Sequence, residues 1–234
     1  MLNETKRLTI AEVARTLKVE PAALAAVVEV ESGGRIQALV EGRPEPLIRF
    51  EGHYFDRRLA GDGREGARKQ GLAAPQAGVI RNPASQAARW QMLRQAAEID
   101  RKAAYESTSW GVGQVMGAHW AWLGYPSVDA LVEEAREGLA GQLRLMARYI
   151  EKAGLAEALR AHDWAAFARG YNGPAYRRNR YDTKLAAAYA IYQKVSFDLG
   201  LNAGAETRTA RTRGPADLFD STIRFFAALF GRRS

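Results

Sequence analysis

The chain contains no cysteine, which excludes disulfides and thiolate chemistry. Histidine is scarce. His53, His119 and His162 lie too far apart for a zinc motif such as HExxH, so neither a metal nor another cofactor is expected. The opening "MLNETKRLTIAEVARTL" has no apolar run of signal-peptide length, and no window approaches a membrane-spanning helix. Strand signals are few, and no internal repeat is evident.

What remains is enough to build a core. Of 234 residues, 47% are hydrophobic, which suits one domain with a small appendage. The formal net charge is +8, and the pI of about 9.9 predicts an anionic partner: nucleic acid, an acidic membrane face or an acidic polymer. Composition does not choose among them.

Hydrophobic spacing predicts two helices over residues 9 to 31. Thr9 is expected to cap the first, with Ile10, Val13, Ala14 and Leu17 on one face. Pro21 suits the first turn of the second. There Leu24, Val27, Val28 and Glu31 fall at i, i+3, i+4 and i+7, a single stripe. Glu31 therefore extends the core face, where desolvation raises a carboxyl's pKa. On pattern alone, a helix-end ion pair with Arg35 fits Glu31 equally well. Glu29 projects from the other side and is expected in water. Gly33 and Gly34 end the helix.

Further along, "EPLIRFE" (45–51) reads as a short strand or an extended entry to a helix. Residues 56 to 83, rich in Gly, Arg and Ala, read as a long surface loop. Helical patterning returns at 84–105, 127–137, 138–153, 163–170 and 178–198. The fold class is mainly α, with few or no short strands. After Gly200 the stretch 201–216 reads as a basic linker. Residues 217–234 read as an amphipathic cationic segment, with Phe219, Ile223, Phe226 and Phe230 on one stripe and Arg232 and Arg233 at the end.

The first two helices also have the cadence of a helix-turn-helix, and the charge suits DNA. The second helix, "PAALAAVVEVE", nevertheless offers alanine, valine and glutamate where base readers belong. Nucleic acid is accordingly not expected as a partner.

Four segments together resemble a known family: "VEVESGG", "EGRPEPLIRFEGHYF", "ESTSWGVGQVMG" and "FARGYNGPAYRRNRYDTKLAAAY". They are similar to the N-acetylmuramidase domain of phage endolysins and, more distantly, to goose-type lysozymes and lytic transglycosylases of the lysozyme superfamily. The likeness runs from about residue 7 to about 195. It implies a lysozyme-like helical domain over residues 1–200 that cuts the β-1,4 bond between N-acetylmuramic acid and N-acetylglucosamine in bacterial peptidoglycan. A related outcome within this class is lytic cleavage to 1,6-anhydro ends. One departure stands inside the likeness: "RFEGH" replaces an "FERH"-like string, which removes an arginine.

By this resemblance Glu31 is the general acid, since a protonated carboxyl is what the leaving glycosidic oxygen requires. Tyr171 would donate a hydrogen bond that orients the acid, and Asn172 would meet a sugar amide or hydroxyl. Gln114 would bind sugar, with Ser109 beside it. Glu51 and Glu106, each inside a matching motif, are the candidates for a second carboxylate, Glu51 being favoured. Outside the likeness, the terminal segment 217–234 would meet anionic membrane or lipopolysaccharide, or else pack back on the domain or mediate self-association. A chain without a leader would be made in a host cytoplasm and reach the periplasm or cell wall by holin-type release or export.

Overall fold

The computed structural model describes residues 2–197, so the linker and terminal segment expected at 201–234 lie outside the described residues. The described chain is mainly helical, as its patterning implies, with two small antiparallel sheets.

Helix α1 (Glu4–Leu17) is capped by Asn3, whose side chain accepts from the backbone of Lys6. Thr9 is not the cap. It lies inside the helix, where its hydroxyl donates to the carbonyl of Thr5. Helix α2 (Pro21–Ser32) opens on Pro21, where the missing N–H would have had no partner. Ala22 to Val28 and Val30 are all buried, so α2 is a central helix rather than an amphipathic one. Gly33 ends it in the left-handed region (φ 62°), and the Gly33 N–H closes on the Glu29 carbonyl at 2.8 Å.

Strands β1 (Gln37–Val40) and β2 (Arg43–Pro46) form a hairpin. Its two turn residues, Glu41 and Gly42, both take positive φ, as a tight hairpin of this twist requires. Strand β3 (Ile48–Phe50) pairs with β4 (Thr108–Trp110), which turns back into β5 (Val115–Met116). The outer edge of β3 is closed by two amide side chains. Asn82 exchanges hydrogen bonds with the backbone of Phe50 (2.6 and 2.9 Å), and Gln86 does the same for Ile48 (2.9 and 3.3 Å). Side chains thus do the work of a missing strand.

The stretch expected to be a surface loop is instead partly helical, with α3 (Gly52–Arg58) and α4 (Gly61–Lys69). A buried carboxylate organises it: Asp56 accepts from the Arg68 guanidinium at 2.6 and 2.9 Å, and Arg64 donates to the Asp56 and Leu59 carbonyls. Only Leu59, Ala67, Leu72 and a few neighbours reach the core, too few to write a helical period into the sequence. Gly52, where the resembling family has arginine, is packed under Ile80; a Cβ there would lie 2.6 Å from that side chain.

Helix α5 (Gln86–Glu106) is capped by Ser85 and breaks at Asp100, whose φ/ψ of −155°/104° is extended. The Asp100 carboxylate accepts from the Ala103 N–H at 2.8 Å and so caps the second half. Helices α6 (Val128–Arg136), α7 (Gly138–Lys152), α8 (Ala156–Arg160), α9 (Trp164–Asn172) and α10 (Tyr181–Tyr192) follow. Of these five, α8 alone falls outside the expected helices, as α3 and α4 do earlier in the chain.

Two cores result. One gathers α1, α2, α7, α9 and α10, and the other gathers the β3–β5 sheet, α3, α5 and α6. Helix α7 serves both: Leu143 and Met146 face the first, Leu145 the second. Helix α10 packs chiefly along α2.

Candidate active site

The last turn of α2 brings Glu31 to the boundary of the first core. The residue keeps partial access to solvent, but its carboxyl is enclosed by protein. Burial pushes its pKa from 4.5 to about 7, opposed by a hydrogen bond from Asn172 and by the charge of Lys184. The Asn172 amide nitrogen donates to Glu31 Oε1 at 2.7 Å, which leaves Oε2 to carry the proton. Arg35 is exposed and forms no ion pair with Glu31. Gly33 faces open space, so the chain leaves this end of the helix without crowding it.

Glu29, two positions earlier, is not free in water. It is half-buried and accepts a hydrogen bond from Tyr192 at 2.9 Å, which ties α10 to α2.

Tyr171 directly precedes the Asn172 that bonds Glu31, and burial, with the charge of Glu31, holds its phenol protonated. Its hydroxyl does not donate to Glu31, however. It donates to the Gly113 carbonyl at 2.6 Å. The donor on the acid is therefore the next residue, Asn172, and Tyr171 instead joins α9 to the β4–β5 turn, where Val112 and Met146 line the first core. That turn is tightly built. Gly111 has a φ of +67° and would clash with Gln142 if it had a side chain, at 2.8 Å. A Cβ at Gly113 would lie 2.8 Å from Met146 and 2.9 Å from the Tyr171 hydroxyl. The buried Gln142 carbonyl oxygen accepts from the Val112 N–H at 3.0 Å.

Gln114 sits in this turn at a φ of 47°. Its amide nitrogen donates to the Gly111 and Leu47 carbonyls at 2.8 and 3.4 Å, so at least half of its hydrogen-bonding capacity holds the turn. Ser109 is buried in β4, with its hydroxyl on the Met116 sulfur at 3.1 Å. Trp110 is fully buried.

The two candidates for a second carboxylate differ in their commitments. Glu106 accepts from Lys102 (2.8 Å), Trp120 (2.8 Å) and Arg58 (3.2 Å). Burial raises its pKa, but these donors together outweigh it and hold the carboxyl below the usual range. Glu51, at the start of α3, is flanked by Arg49 at 3.0 Å and His53 at 3.6 Å, and its own N–H donates to the Ser107 carbonyl. Among the described residues, no group of three or more His, Asp or Glu side chains converges as metal ligands. Two open hollows on the surface, of 760 Å³ beside Arg94 and 640 Å³ beside Arg35, include neither Glu31 nor Glu51 in their linings.

Sequence reasoning missed the Asn172–Glu31 bond and the role of Lys184. The signal available was weak: both lie in one resembling segment, but nothing in its spacing says which side chain turns toward α2.

Comparison with known proteins bears on this arrangement. The family described as N-acetylmuramidase matches residues 20–193. Among solved structures, the crystal structure of the Burkholderia AP3 phage endolysin is similar, with 38% identity and a TM-score of 0.69. The match covers 83% of this chain and 72% of that one. No curated protein matches the chain.

Proposed function

This chain belongs to the N-acetylmuramidase family and is a glycoside hydrolase acting on peptidoglycan, and from that premise we propose that Glu31 is the acid that protonates the bridging oxygen between N-acetylmuramic acid and N-acetylglucosamine. The observation that carries this is the enclosed carboxyl at the end of α2, with a pKa near 7 and one oxygen held by Asn172. Such a group is still protonated where an ordinary carboxylate is ionised, and its free oxygen is positioned to give the proton away. As the bond breaks, the leaving sugar takes that proton and Glu31 becomes anionic. The Asn172 donor and the Lys184 charge, which both favour the ionised form, then stabilise it.

We assign Glu51 the second role, accepting a proton from the water that attacks the anomeric carbon. Glu106 is engaged by three donors at once and acts as a structural ion pair. Tyr171 positions the Gly113 turn against the acid, and Gln114 presents its remaining amide oxygen toward sugar. Ser109 holds the strand beneath.

The helix-turn-helix alternative is disfavoured physically. Its reading helix would be α2, whose residues are buried nearly all round and so have no face to offer a groove. Digestion of purified peptidoglycan, read by mass spectrometry, tests the assignment. Products ending in reducing sugars that vanish in Glu31→Gln support it. Anhydro products, lighter by one water, would mean that the substrate's own hydroxyl attacks and that Glu51 has no basic role.

The positive charge of the chain suits acidic cell-wall and envelope surfaces. We further propose that residues 217–234 bind anionic membrane or lipopolysaccharide, and that the enzyme reaches the wall from the cytoplasm by release or export. No described helix is long and apolar enough to cross a membrane. Removing residues 202–234 should weaken binding to anionic vesicles, and unchanged binding would reject the surface role.

A further inference from the structure

Beyond the acid, a run of aromatic rings leads from Tyr171 to the surface. Tyr171 meets Tyr149 of α7 edge-on, with ring centroids 5.2 Å apart and planes at 81°. Tyr149 in turn meets Trp122 at 5.8 Å and 77°. His119 packs on both, 5.6 Å from Trp122 and 5.5 Å from Tyr149. Burial and the Arg58 charge hold the His119 imidazole below its usual pKa, so it is neutral near pH 7 and adds no charge to the cluster.

Trp122 itself remains 44% exposed. Its backbone is nonetheless well anchored. The neighbouring Leu123 is buried, its N–H donates to the His119 carbonyl at 2.8 Å, and the Tyr125 N–H donates to the Trp120 carbonyl at 2.9 Å. A single exposed apolar side chain needs no explanation. Here, however, a large indole is clamped edge-to-face by two rings while much of it stays open to water. Its position is fixed in advance, so little entropy remains to be lost on binding.

We propose that Trp122, backed by His119 and Tyr149, is a stacking platform for an N-acetylated pyranose of the glycan strand, at the outer end of an aromatic run that begins beside the acid. The C–H bonds on one face of a pyranose form an apolar, slightly positive patch that complements the negative face of an aromatic ring. The platform rests on the hydrolase reading and names where the strand lies beyond the cleaved bond.

Two measurements separate the platform from that reading. Turnover of solubilised, uncross-linked peptidoglycan should show a KM about three- to tenfold higher for Trp122→Ala with kcat changed by less than about twofold, and Trp122→Tyr should recover most of the loss. Calorimetric binding of an N-acetylglucosamine tetramer to Glu31→Gln, with and without Trp122→Ala, reads the same site without turnover and should weaken by a similar factor. An unchanged KM and tetramer affinity overturns the platform while leaving the hydrolase intact. A fall in Tm for Trp122→Ala that accounts for its loss of activity also overturns it, since the ring would then be packing rather than binding. Absence of hydrolysis by the unaltered chain would instead count against the hydrolase reading, and the tetramer measurement would still decide the platform.

Discussion

Replacing Glu31 with glutamine should destroy activity and, above neutral pH, stabilise the fold. The carboxyl has a pKa of 4.5 when freely solvated and about 7 here, mainly because burial penalises its charge. At roughly 1.4 kcal/mol per tenfold change in proton affinity, ionising it inside the folded protein costs about 3 kcal/mol more than in water. The sign follows from proton counting. Between pH 4.5 and about 7 the folded protein holds a proton that the unfolded chain has released, so stability falls as pH rises. Below pH 4.5 both states are protonated and the penalty is absent; above about 7 it is complete. Glutamine cannot ionise, yet its carbonyl still accepts the Asn172 bond. Thermal unfolding of both proteins from pH 4 to 8.5 should therefore show equal Tm values at the acid end. At the alkaline end the variant should gain, with roughly 5–10 °C as the upper bound. Its turnover should fall by about 10²- to 10⁴-fold. A Tm difference that does not vary with pH would refute the buried-proton argument, and retained turnover would refute the catalytic one.

The same pKa sets the activity profile of the unaltered enzyme. Turnover should decline about tenfold from pH 6 to pH 8 as Glu31 loses its proton. Asn172→Ala removes a donor that favours the ionised acid, so the declining limb should move to higher pH while maximal turnover drops, as a pH–rate series will show. Tyr171→Phe leaves the Gly113 carbonyl without its donor. It should cost about 1–3 kcal/mol in urea unfolding and leave the position of the pH limb in place. A shifted limb would mean that the phenol acts on Glu31 directly. Glu51→Gln should slow hydrolysis by about 10²-fold or more with little change in KM, whereas undiminished kcat would remove Glu51 from the mechanism.

The burial of Glu31 was legible because Leu24, Val27 and Val28 set a stripe that an acidic residue at i+7 extends. The same logic misjudged Glu29. Two residues along a helix turns the side chain well away from the first stripe, and nothing in the local pattern says that α10 covers that side as well and supplies Tyr192. A helix buried all round has no solvent face to deduce. The region 56–83 failed for the opposite reason. Its helices are held by an ion pair between the buried Asp56 and the half-exposed Arg68, and a charge pair leaves no hydrophobic period to read. The strands were hidden by length: β3 has three residues and β5 two, and the outer edge of β3 is completed by Asn82 and Gln86 from outside any strand.

These misses share a cause that bears on the mechanism. Local pattern reports how one element meets a core, but a catalytic group is held by contacts between elements distant in the chain. Asn172 reaches Glu31 across 141 positions, and Tyr171 reaches Gly113 across 58. Adjacent residues at the end of α9 thus serve two distant segments, one fixing the acid and the other the β4–β5 turn. A shift of α9 would move both together, preserving the relation between acid and turn better than two independent supports could. This predicts that damage to the end of α9 is coupled. The combined variant Tyr171→Phe, Asn172→Ala should lose less activity than the product of the two single losses, because either change alone already loosens the shared support. Strictly multiplicative losses in kcat would show instead that the two residues act separately, and the β4–β5 turn would then have no part in placing the acid.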